Sequence, residues 1–142
     1  MGVKSSVYDY LVTVNIAVAA KTNGTINGAN IDRSQYEGLD VLFVTQALTD
    51  GTHTAKLQEA DDVAGAPGVF SDVPASQLVL PTSAAGVNGV AAVANTVKRI
   101  GYANTTKRWV RPVLTTSGAT TGAVAGILVL QHDGRSQPVS NP

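Results

Sequence analysis

Two short runs hold the side chains best suited to strong interactions: Lys98 and Arg99, then Lys107, Arg108, Trp109 and Arg111. A guanidinium beside an indole stacks on it or helps anchor it at an interface, and Arg and Trp are enriched where binding energy concentrates. On an extended strand Trp109, Arg111 and Val113 fall on one face, and Arg108, Val110 and Leu114 on the other. The same tryptophan could equally close the end of a core, with the arginines solvated around it. Glu59, Asp61 and Asp62 form an acidic counterpart. Clustered oxygens suit calcium, but this spacing does not match a twelve-residue EF-hand loop and no third anchor is evident, so no metal site is expected.

Catalytic groups are scarce. His53 and His132 are the only imidazoles. His53 follows a turn at the start of a strand and reads as a solvent-exposed hairpin residue; His132, in His-Asp-Gly, reads as part of a turn opening the C-terminal tail. There is no phosphate-cradling glycine-rich loop before a helix and no Gly-x-Ser-x-Gly elbow. The absence of cysteine removes disulfides, thiolate metal sites and thiol nucleophiles. The expectation is a protein that is not an enzyme, with no catalytic residue and no cofactor.

The formal net charge of zero conceals two unlike halves. Residues 1 to 72 hold nine acidic and four basic residues, a net of −5, whereas no Asp or Glu occurs between Val73 and His132. The halves can neutralise each other within one fold, join acidic and basic edges of neighbouring copies, or present a basic patch to nucleic acid. The last would want more positive charge and several exposed rings, and the chain has seven aromatic residues, so no nucleic-acid partner is expected.

The elements positioning these residues read as strands. The chain has 142 residues, 44% of them hydrophobic and 14% charged, which suits one ordinary domain. Its longest apolar runs, such as Ala123 to Leu130, are far shorter than a membrane span, and no signal-peptide pattern opens it, so a soluble protein made in the cytoplasm, with no membrane partner, is expected. Period-two alternation marks a long strand over Tyr8 to Val18; two Asn-Gly turns follow, with a short strand possible at Ile26. Leu39 to Leu48 and His53 to Ala60 read as a hairpin turned at Thr49-Asp-Gly-Thr52. Val69 to Val73 is extended, and Ala75 to Leu80 fits a helical turn or an edge strand. Pro81 to Asn95 reads as a long loop or irregular strand. Thr96 to Tyr102 and Lys107 to Thr116 read as a pair, with Pro112 marking an edge or a bulge. Ala123 to Gln131, apolar on both faces, reads as a central strand. The expectation is an all-β, antiparallel two-sheet sandwich of jelly-roll type, one domain over 1–132, with extended terminal arms including a tail over 133–142.

The runs Ala47 to Asp62, Val69 to Ala75, Lys98 to Arg111 and Thr115 to Gln131, in that order, resemble the small capsid-associated proteins of tailed bacteriophages, within them the cement or decoration proteins of the capsid lattice. The likeness extends from about Ala19 to Val139 and leaves the N-terminal strand outside it. Its motifs also describe carbohydrate-binding jelly rolls of the discoidin type. The resemblance implies a non-enzymatic virion protein on the outer capsid surface, made in the bacterial host. Its partners would be the major capsid protein and itself, as a homodimer or homotrimer. Contacts are then expected at Arg99, Lys107, Arg108, Trp109 and Arg111 on one side and Glu59, Asp61 and Asp62 on the other. A sugar-binding module and a head-completion or tail ring protein are the competing readings.

Overall fold

A pleated backbone sends successive side chains to opposite faces, so runs of alternating Val, Ile, Leu and Thr settle as strands, and this chain does so along most of its length. The computed structural model describes residues 10–80, 88–104 and 106–135. Its strands are β1 (Tyr10–Lys21), β2 (Gly24–Asn27), β3 (Ile31–Asp32), β4 (Tyr36–Leu48), β5 (Thr52–Ala60), β6 (Asp62–Val63), β7 (Ala66–Pro67), β8 (Ser71–Asp72), β9 (Leu78–Val79), β10 (Val90–Ala91), β11 (Thr96–Tyr102), β12 (Trp109–Ser117) and β13 (Ala123–Gly134). A 3-10 turn at Ala75–Gln77 leads into β9, so this stretch is both a helical turn and an edge strand.

The strands form an antiparallel sandwich. One sheet has the order β1-β13-β4-β11-β9; the other runs β10-β5-β12-β2, with β3 also on β12 and β8 on β5. β6 and β7 make a separate small hairpin. Leu39, Val41 and Phe43 from β4, Ile100 from β11, and Ile127 and Val129 from β13 form one wall of the core. Ala55 and Leu57 from β5, with Val110 and Leu114 from β12, form the other. Each large aliphatic side chain buried here contributes about 1.5–3 kcal/mol. As its two apolar faces predicted, β13 is central, between β1 and β4.

Several local expectations are corrected. β4 and β5 do not form a hairpin: β4 pairs with β13 and β11, while β5 pairs with β12, so the Asp50-Gly51 turn carries the chain from one sheet to the other. β11 and β12 likewise lie in different sheets, which separates Lys98 and Arg99 from the other basic residues. A turn dipeptide specifies a reversal of the chain, not which ladder the flanking strands join. Pro112 lies in a central strand with no register break against β5. It is tolerated because its carbonyl, which accepts from Gly28 N at 2.8 Å, faces the gap between β2 and β3, and a strand residue's N and C=O point the same way. β13 continues to Gly134, so His132 belongs to a strand rather than to a tail. Tyr8 and Asp9, residues 81–87 of the loop or irregular strand read over Pro81 to Asn95, and tail positions 136–142 lie outside the described residues, while the described end of that stretch includes β10.

Polar clasps hold the crossings at the two ends of β4. At its start, Arg33 is 1% exposed. Its guanidinium donates to Asn104 O and Lys107 O, both at 2.8 Å, and to Glu37 O, and it lies over the Tyr102 ring at 4.7 Å. It thereby ties the β3–β4 connection to the β11–β12 connection, where carbonyls would otherwise be buried without donors. At the far end of β4, the Asp50 carboxylate accepts from the backbone N–H groups of Thr120, Thr121 and Gly122. Gly122 is obligatory there: its φ is +82°, and a Cβ would stand 1.9 Å from Lys21 O. His53, expected at the surface, is 1% exposed and bonds Thr116 Oγ1 at 2.8 Å and Asp50 O at 3.1 Å, because the crossing turn folds it under the loop.

Arg33→Met is expected to lower unfolding free energy by about 3 kcal/mol in urea titration, with an unchanged denaturant slope, because it strands buried carbonyls. Backbone donors, Gly122 first, hold the Asp50 carboxyl below its ordinary range. Its stabilising effect is therefore present above the unfolded pKa of about 3.9 and lost as pH falls through the lower folded value. Asp50→Asn should lower the melting temperature at neutral pH, and the gap to the native chain should shrink below about pH 4.

Candidate interaction surfaces

The sandwich has two outer faces of opposite character. On the sheet containing β12, alternate residues of β12 and β5 point outward and form a polar network. Arg111 donates to Gln58 Oε1 at 3.0 and 2.8 Å and stacks over Phe70 at 4.2 Å. Lys56 and Gln58 both bond Asp72. Arg108 makes a two-pronged contact with Asp32, at 2.9 and 2.8 Å, and reaches Asp62 at 3.2 Å. Trp109 donates its indole N–H to Asp62 at 2.8 Å while the Arg108 guanidinium lies 5.0 Å from its ring. Lys107 pairs with Asp61 at 2.6 Å.

These distances place the expected contact residues. Lys107, Arg108, Trp109, Asp61 and Asp62 are brought together, on one another. Arg108 precedes β12 and bends back over Trp109, so it does not occupy the opposite face that strict alternation assigns to it. Glu59 is buried, accepting from Tyr102 at 2.6 Å and Asn104 at 3.1 Å; burial and this carboxylate push the Tyr102 phenol well up. Arg99 lies on the other sheet, bonded to Asp40 at 2.7 Å. Thus the acidic and basic halves neutralise each other inside one copy, the first of the three uses open to them. Trp109 neither closes the core nor stands free; it is half-buried on the outer face.

The five-stranded sheet turns a different face outward. Cross-strand partners share a face, and the register sets Val12 beside Leu130, Val14 beside Leu128, Leu128 beside Leu42, and Val44 beside Val97. Val12 and Val14 are 61% and 65% exposed. Val79 and Val97 are exposed as well, and Leu42, Val44, Leu128 and Leu130 partly so. The polar groups among them form one cluster: Asp40 accepts from Arg99 and meets His132 Nε2 at 3.2 Å, while His132 Nδ1 meets Asp133 at 2.7 Å. Next to this cluster a groove of about 540 Å³ opens toward Val79, Leu80 and Val97. Gly101 shapes its floor, since a Cβ there would press on Asp40 and Val79 at 3.2 Å.

Sequence reasoning missed this face. The signals were present: the alternation of β1 and the two-faced apolar character of β13 implied that one apolar side had to remain uncovered. The Asp40–Arg99–His132 cluster had no such signal, because its members come from three strands far apart in the chain.

No protein-family model matches the chain, and neither a curated protein nor a solved structure shows significant similarity to it.

The Arg108 hydrogen bond, chiefly, holds the Asp32 carboxyl down at about 2. Its contribution to stability is present above an unfolded pKa of about 3.9 and is lost as pH falls through 2. Unfolding free energy should therefore fall between those limits, and Asp32→Asn should flatten that slope in acid titrations followed by circular dichroism.

Proposed function

We propose that this chain is a non-enzymatic virion structural protein that binds the outside of a phage capsid lattice as a cement or decoration protein and stabilises it by bridging capsomers. The observation that carries the reading is the outer face of the five-stranded sheet, where Val12, Val14, Leu42, Leu128, Leu130 and Val97 form one apolar surface. Continuous apolar surface of this kind marks a place where a protein meets another surface. The opposite face is polar and internally neutralised, which suits the side left in water. The sandwich then lies between the two, a rigid spacer with one face for the major capsid protein and one for solvent. The order of runs that resembles capsid decoration proteins supplies the lattice as the partner. The described tyrosines do not support a sugar platform with Trp109, since Tyr36 and Tyr102 are buried and Tyr10 belongs to the other sheet.

The test is a sedimentation titration of the purified chain onto expanded shells of the major capsid protein from the same genome. Saturation is expected at a simple multiple of the lattice's symmetry positions. Val79→Lys with Val97→Lys should weaken binding by at least about tenfold, since each buries a charge in an apolar contact. Arg108→Ala with Arg111→Ala should leave it near the native value; the reverse pattern would transfer the contact to the basic cluster. No binding to intact expanded shells would overturn the reading.

A further inference from the structure

β1 is the terminal strand of its sheet, and among the described residues no strand pairs with its outer edge. An open edge is a template for another strand, and proteins commonly block it with lysine, proline, an inward charge or a bulge. From Tyr10 to Val14 the run Tyr-Leu-Val-Thr-Val has no charge and no proline, and its register with β13 is unbroken. Irregularities come only later, between Val14 and Ile16 and between Ile16 and Ala19. At Asn15 the strand is drawn against the 28–30 segment, where the side-chain amide donates to Ala29 O at 3.0 Å. The open window is Tyr10–Val14, and Tyr10 is itself 50% exposed on the outer face.

We propose that a second copy of this chain occupies that edge, β1 against β1, antiparallel about a two-fold axis near Val12. The run from Tyr10 to Ala20 offers no charge to pair with, which favours an uncharged strand there. Such a strand must also carry apolar residues at alternate positions, to continue the surface of Leu128 and Leu130. β1 meets both conditions. About a two-fold axis normal to the sheet, Val12 faces its own copy and Tyr10 of each copy faces Val14 of the other. The two apolar outer faces then lie on the same side as one surface. An isologous edge closes after two copies, so it makes a dimer and not a trimer. A five-residue strand pair is small for a specific interface, so the dimer is reversible. The role of this dimer rests on the assembly reading above, but its existence is tested without any shell.

In sedimentation equilibrium of the isolated full chain, the mass should rise with concentration from 14.6 kDa toward twice that value. Val12→Lys with Val14→Lys should weaken dimerisation by at least about tenfold, because like charges face each other across the axis. Their melting temperature should stay native, since both side chains are exposed; should the double variant melt early, the single Val12→Lys carries the same test. Val63→Lys with Val69→Lys, away from the edge, should dimerise normally. A monomer at every concentration, a trimer, or lysine variants that dimerise like the native chain would overturn the proposal. A dimer that ignores shells would overturn the capsid reading alone, and a monomer that binds them would overturn this inference alone.

Discussion

The chain passes repeatedly from one sheet to the other, among these crossings from β1 to β2, β3 to β4, β4 to β5, β10 to β11, β11 to β12 and β12 to β13. Such crossings leave backbone groups at the rims without ladder partners, and a sandwich stays closed only where those groups are satisfied. Arg33 supplies donors to carbonyls at one end of β4, and Asp50 supplies an acceptor for amides at the other. The two clasps are chemical opposites and do the same work. Around them the long β4–β13 ladder and the β5–β12 ladder face each other across an aliphatic core.

The charge distribution follows from this topology. Because β12 lies beside β5 and β3, the basic residues entering β12 meet Asp32, Asp61 and Asp62 from the acidic half, and most of the polarity collects on one outer face. Exposed pairs of this kind contribute little to stability individually, and they leave little net charge to steer a partner. The other face, built from β1, β13, β4 and β11, keeps an apolar surface relieved by the Asp40–Arg99–His132 cluster. A sandwich whose faces differ in this way has a preferred side for association, on which both the lattice reading and the edge-paired dimer are built. The two use different parts of it, the face of the sheet and the edge of β1.

Much of the fold was legible in order and type of element, since alternation, Asn-Gly turns and the apolar run at Ala123 to Gln131 are local signals. Strand class, the short strand at Ile26 and the central place of β13 all follow from them. The candidate site was legible only in part. Arg108, Trp109 and Asp62 do converge, but as one another's partners, and Arg99 is removed to a different sheet. His53 appeared exposed because its neighbours in sequence are turn residues, while its burial depends on Thr116, sixty-three positions away.

By itself the sequence determined that this is a β protein, where its long strands lie, which side chains alternate, and that catalytic groups are few, because each of these depends on neighbours within a few residues along the chain. Tertiary structure alone decided which strands share a sheet, which charges find partners and which of the apolar faces is left uncovered. Those outcomes depend on pairings between segments far apart in sequence, where a shift of one residue in register, or a change of sheet at one turn, moves every side chain of a strand to new neighbours.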